Sequence, residues 1–199
     1  MSAEFSLDER DGIVILKLTS DDGMNRLTRS KVIALTEHIR HLSSHDPVRP
    51  LVITGEPYFS AGADLNEIAA LDGPSAVQFA KMGQALMSAV ENYPAPTLAA
   101  IYGYCMGGGL DLALACHRRI AHPHAVFGHR GAALGLITGW GGTQRLPRLV
   151  GKGRALQMFL AAEKIHAAEG LRIGLVTHLA THPIDAAVRW ISQLQISDS

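Results

Sequence analysis

The longest uncharged run in the chain, Asn92 to Leu110, limits its fold more than any other stretch. It is interrupted by Pro94, Pro96 and four glycines and ends at Asp111, which makes it a poor membrane helix. It reads instead as an apolar strand, TLAAIYG at 97–103, turning through glycines into a buried helix, GGGLDLALAC at 107–116. A second segment, ITGEPYFSAGADL at 53–65, has the same strand, small-residue turn and helix order. Glycine and alanine at such turns let a ligand touch the main chain, and the first turn of a helix leaves N–H groups without internal partners. Two such turns that converge place one N–H each on a carbonyl oxygen and stabilise it as an enolate or tetrahedral anion; each donor of that kind is worth roughly 2.7 to 4 kcal/mol in a transition state. The same turns also suit plain close helix packing. The glycine triplet lacks the spacing, and the following Lys-Ser/Thr, of nucleotide-phosphate loops.

The rest of the chain alternates strands and helices. GIVILKLT at 12–19 reads as a buried strand paired with an earlier one near Phe5, and Thr28 to His45 as an amphipathic helix carrying Val32, Ile33, Leu35, Ile39 and Leu42. LVITG at 51–55 is a strand, Asp64 to Leu71 a short helix and Ser75 to Glu91 a longer one. RRIA and AVFG are short strands around HPH. Helices follow at 143–149, 153–162 and 167–173, then a strand at Leu175 to Thr177 and a helix at Pro183 to Leu194. This order predicts a single α/β domain over residues 1–199.

Composition narrows the partners. Eighteen Lys and Arg balance eighteen Asp and Glu among 199 residues, which argues against nucleic acid. Charged residues are 18% and apolar ones 47%, so either the core is large or part of the surface is buried against other copies of the chain. Cys105 and Cys116 lack a CxxC spacing, and the first residues lack the basic start and apolar stretch of a signal peptide; both point to the cytoplasm, with no membrane and no metal. His38, His41 and His45 share a helix face that reads as exposed rather than metal-binding, and His122 and His124 flank Pro123 in a turn.

FSAGADL at 59–65, IYGYCMGGGLDLALAC at 101–116, VFGHRGAALGL at 126–136, GGTQRLPRLVGKGRA at 141–155 and AAEGLRIGLV at 167–176 follow one another in an order and spacing that resembles the crotonase superfamily, the enoyl-CoA hydratases and isomerases. The resemblance implies a spiral of repeated strand-strand-helix units, a homo-oligomer built as a trimer or a dimer of trimers, and acyl-CoA thioesters as substrates, with coenzyme A entering only as part of the substrate. It makes the N–H groups of Ala63 and Gly108 the oxyanion donors, with Gly107 beside them. Met24, Arg26, Ala61, Asp64 and Leu65 then line the path of coenzyme A. Members of the family usually carry C-terminal helices beyond the point where this sequence stops.

The family's acid and base positions match in part. The first falls on Asp111, where an aspartate resembles the dienoyl-CoA isomerases; it lies about 4.5 Å along the helix from Gly108. Two roles fit it together, proton transfer and complementing the positive helix end for about 0.3 to 1 kcal/mol. The second position falls on Gly131, and a further acid of the dienoyl isomerases falls on Gly139; neither transfers a proton. His129 and Arg130 precede this gap. A histidine with an ordinary pKa near 6.5 can serve as acid or base, or simply pack, and Arg130 suits recognition of an acyl carboxylate. Trp140 suits either a narrowed acyl pocket or core packing. The resulting expectation is an acyl-CoA lyase or isomerase that uses Asp111 as its one carboxylate, double-bond migration being better supported than hydration. The alternatives are a catalytically silent oligomeric acyl-CoA-binding protein and a decarboxylase or hydrolase of a CoA thioester.

Overall fold

A computed structural model describes residues 4–197; residues 1–3 and 198–199, the ends of the expected domain, lie outside the described residues. Strands β1 (Phe5–Arg10) and β2 (Ile13–Leu18) form the expected hairpin. Beyond it β3 (Leu51–Gly55), β4 (Thr97–Ile101), β6 (Arg118–Ala121) and β9 (His178–Leu179) add in parallel to complete a six-stranded sheet. A second sheet joins β5 (Tyr104–Met106), β7 (Val126–Gly128) and β8 (Ile165–His166). β4 leads to β5 and β6 to β7, each pair crossing from the large sheet to the small one before its helix, which is the strand-strand-helix repeat that the family resemblance implies.

Both faces of the large sheet are covered, so β2 reads as a continuous apolar run instead of an alternation. Ile13 and Ile15 pack with Val52, Leu98, Ala100 and Ile120 beneath helix α8 (Pro183–Ser197). Val14, Leu16 and Leu18 face the larger core with helices α1 (Arg29–Ser43), α3 (Gly73–Glu91) and α4 (Gly108–Ala115). Local chemistry starts these helices. Thr28 accepts from the Lys31 amide ahead of α1, and Asp72 with Ser75 forms a reciprocal capping box on α3. Asp64 caps the short α2 (Leu65–Ala69) by accepting from Asn66 and Glu67. Helices α5 (Gly142–Val150), α6 (Lys152–Leu160) and α7 (Ala167–Arg172) complete the chain order.

Two expectations are corrected. The apolar run at 97–103 is not one strand, because Gly103 at φ 50° turns the chain from β4 into β5. No strand forms at Leu175 to Thr177. The amides of Leu175 and Val176 both donate to Gly170 O in α7, which withholds them from the sheet; the Thr177 amide is the first to reach β6, donating to Arg119 O at 2.9 Å, and the paired register starts at His178. The residues after β7, which the sequence left unassigned, contain a short 3-10 turn at Gly131–Leu134.

Candidate active site

Two loops are stitched together ahead of α4. Ser60 is fully buried: its amide donates to Tyr104 O at 3.0 Å, its carbonyl accepts from Met106 N at 2.9 Å, and its hydroxyl donates to Asn25 O at 2.7 Å. The same hydroxyl accepts from Gly62 N at 3.1 Å. Leu27 N donates to Gly62 O and Ala61 N to Met24 O, each at 2.9 Å, so residues 24–27 brace the turn from outside. Only glycine fits at position 62: its φ is 95°, and a Cβ there stands 2.6 Å from Met106 O.

This stitching brings the Ala63 and Gly108 amides into one neighbourhood. A Cβ on Gly108 would lie 3.3 Å from Ala63 N, and one on Gly62 would lie 3.0 Å from Gly108 N. Gly108 opens α4, so its N–H has no intrahelical acceptor. Among the described residues neither amide donates to a protein acceptor. Gly107, the N-cap at φ 49°, borders open space.

One turn along α4, Asp111 is 0% exposed. Its Oδ2 accepts from the Thr138 hydroxyl. Its Oδ1 has no hydrogen-bond partner and lies 3.4 Å from His129 Nε2, which is also unpartnered and buried. Gly142, the first residue of α5, leaves room for this pair, since a Cβ there would collide with Asp111 Oδ1 and stand 2.9 Å from His129 Nε2. Burial pushes the Asp111 carboxyl up to about 7, with the Thr138 hydroxyl, the Arg145 charge and the Gly142 amide pulling the other way. Burial pushes the His129 imidazole down to about 4.

Trp140 takes the core position that the sequence allowed and also lies beside Gly108. It is 3% exposed, packs at a tilt against Phe79 at 5.3 Å between centroids and donates from Nε1 to Phe79 O at 3.2 Å. Its six-membered ring also lies over Gly108, where a Cβ would meet Cζ3 at 2.5 Å. Core packing and the wall beside the amide pair are thus the same contact.

The remaining sequence candidates are more dispersed. Arg26 pairs with Asp22 at the surface, Asp64 spends its carboxylate on the α2 cap, and Leu65 is 54% exposed. Arg130 is exposed and is not in the Asp111 cluster. At Gly131 a Cβ would stand 2.8 Å from Leu136 O, so backbone already fills the place of a second carboxylate. Asn25, Ser60, Thr138 and Gly142 were missed; only the small residue after Phe59 and the last glycine of GWGG hinted at two of them. Two clefts lie elsewhere, one between α8 and β6 at Arg118 and Trp190 and one beside α1 at His38, His41 and His45. Among the described residues no group of three or more His, Cys, Asp or Glu is placed to hold a metal ion. No described helix is long and apolar enough to cross a membrane.

A spiral of strand-strand-helix units with two free amides at the mouth of a buried helix defines an α/β protein of the crotonase fold. Residues 8–196 match the enoyl-CoA hydratase/isomerase family, and the chain belongs to it. It is 37% identical over 172 residues to a crotonyl-CoA hydratase of Syntrophomonas wolfei, a match covering 85% of this chain and 66% of that protein. Among solved structures, Pseudomonas aeruginosa DspI superposes with a TM-score of 0.92 at 36% identity, covering 98% of this chain and 75% of that one. An enoyl-CoA hydratase from Bacillus anthracis gives 0.91 at 33%, covering 97% and 77%.

Proposed function

We propose that the protein is an acyl-CoA-processing enzyme of the hydratase/isomerase type, in which the Ala63 and Gly108 amides bind the thioester carbonyl and Asp111 moves a proton at the carbon beside it. The observation that carries this reading is the convergence of two unpartnered amides one helical turn from a buried carboxylate. As the α-proton leaves, charge develops on the thioester oxygen, and preorganised N–H groups stabilise that charge more than they stabilise the neutral carbonyl. Burial keeps the Asp111 carboxyl near neutral pH in affinity for a proton, so it both takes and returns one. Double-bond migration in a 3-enoyl thioester asks for nothing further: Asp111 removes the α-proton and delivers it to the γ-carbon. Substrate entry displaces the Thr138 hydroxyl from Oδ2 and brings the acyl group over Gly107. These proton transfers require no metal or redox group.

The test is ultraviolet assay of 3-enoyl-CoA and crotonyl-CoA turnover. Asp111→Asn is expected to lower kcat by about 100-fold or more while CoA-thioester binding persists; equal rates in wild type and variant exclude Asp111. A second reading, binding without turnover, draws on Gly131 and on the complete burial of Asp111. Calorimetric binding with no turnover across an acyl-CoA panel supports it. We further propose a homo-oligomer, trimeric in its basic unit, with exposed Leu134, Ile137, Leu156 and Leu160 on the contact surfaces. Light scattering after gel filtration tests that. The buried free thiols of Cys105 and Cys116 suit a cytoplasmic setting.

A further inference from the structure

His129 is the one feature of the site that double-bond migration leaves unused. Its Nε2 and Asp111 Oδ1 are buried, lack hydrogen-bond partners and face each other at 3.4 Å. An imidazole serving only to fill space leaves its Nε2 without a partner, which an apolar side chain in the same place would not do. Phe159 of α6 packs on the ring at 5.0 Å, so the apolar side of the histidine is already sheltered. Gly142 keeps the other side clear. Backbone occupies the place of a second carboxylate at Gly131, and His129 lies two positions before it.

We propose that His129 is the second proton-transfer group of this site and that it makes the enzyme competent for hydration of a 2-enoyl thioester. The proposal rests on the function given above. His129 Nε2 takes a proton from a water molecule whose oxygen bonds to the β-carbon, as protonated Asp111 gives its proton to the α-carbon. Water has then been added across the double bond, leaving His129 as imidazolium and Asp111 as carboxylate. The proton passes from Nε2 to Oδ1 across the 3.4 Å gap and restores the starting state, so no outside acid is consumed.

The opposed shifts of the two groups agree with these roles. Burial favours neutral imidazole as the base and neutral carboxylic acid as the acid over the same pH range, about 4 to 7. Arg145 of α5 is the charged side chain acting on Asp111, and burial is the one influence resolved on His129.

The experiment compares crotonyl-CoA hydration with 3-enoyl-CoA isomerisation in the full chain. In His129→Gln, hydration is expected to fall by about 100-fold or more and isomerisation by less than about 10-fold, and the acidic limb of the hydration pH profile to disappear. Equal losses in both reactions overturn the proposal. So does a wild type that isomerises without hydrating, which leaves the broader function standing. A wild type with neither activity overturns both. Nitrogen NMR of the wild type near pH 6 gives a reading that needs no variant. A neutral His129 with unprotonated Nε2 supports the base role, and an Nε2–H tautomer overturns it.

Discussion

The two ends of α4 treat buried polar groups in opposite ways. Beyond its C-terminus, Arg119 is 3% exposed and fully engaged: Nε donates to Leu175 O at 2.8 Å, and Nη1 to Cys116 O at 2.8 Å and Ala113 O at 3.5 Å. It collects main-chain carbonyls at the end of α4 and from the segment after α7. At the N-terminal end two amides, a carboxylate oxygen and an imidazole nitrogen stay without partners. Both ends are equally buried, so burial alone does not mark a functional site. What separates the two ends is incomplete hydrogen bonding, which the proposed function puts to use, since a group that serves only the fold gains by closing its bonds.

That contrast can be broken by mutation. Arg119→Met removes the donor shared by three carbonyls and is expected to cost about 3 to 5 kcal/mol in urea unfolding. Asp111→Asn keeps a partner for Thr138 and is expected to stay within about 1 kcal/mol of wild type at neutral pH, despite being no less buried. A larger loss at Asp111 than at Arg119 would reverse the assignment of the two ends.

Next in size is a pH effect confined to the open end. Between about pH 4 and 7, native Asp111 holds a proton that the unfolded carboxyl has released, so its contribution to stability falls as pH rises. Between about pH 4 and 6.5, native His129 lacks a proton that the unfolded imidazole carries, so its contribution falls as pH drops. The two slopes oppose each other, and the pair adds little net pH dependence in wild type. Asp111→Asn leaves the histidine slope, with stability rising by about 1.4 kcal/mol per pH unit through this range; His129→Gln leaves the opposite slope. Urea midpoints from pH 4.5 to 6 check the sign.

Smaller effects sharpen the boundary of the site. Gly83→Ala drives a methyl into the Trp140 indole, which leans on Gly108, and is expected to cost about 1 to 3 kcal/mol while altering acyl-CoA affinity. Asp72→Ala removes the α3 capping box away from both ends of α4. It is expected to cost about 1 kcal/mol with no change in turnover, read from thermal melts and the same ultraviolet assay.

Much of the architecture was legible in the chain because its signals are local. The α1 stripe, the β2 run covered on both faces and the small residues at 60–63 and 107–109 each follow from neighbours in sequence. The lost strand at 175–177 was not legible, because Leu175 and Val176 are apolar enough for a sheet while their amides answer to Gly170. Trp140 offered two readings for the same reason: composition says that an indole will be buried, not what it will be buried against.

By itself the sequence determined the order of strands and helices, the two turns where backbone can be approached and the absence of a second carboxylate at Gly131. Tertiary structure alone decided that Asp111 faces His129, that Thr138 closes one carboxylate oxygen and that Gly142, lacking a Cβ, leaves room beside the other. Backbone propensity and hydrophobic period act over a few residues and survive in the string of letters. Side-chain direction in a close-packed interior is settled by contacts between distant segments, and proton affinity follows from the burial those contacts create.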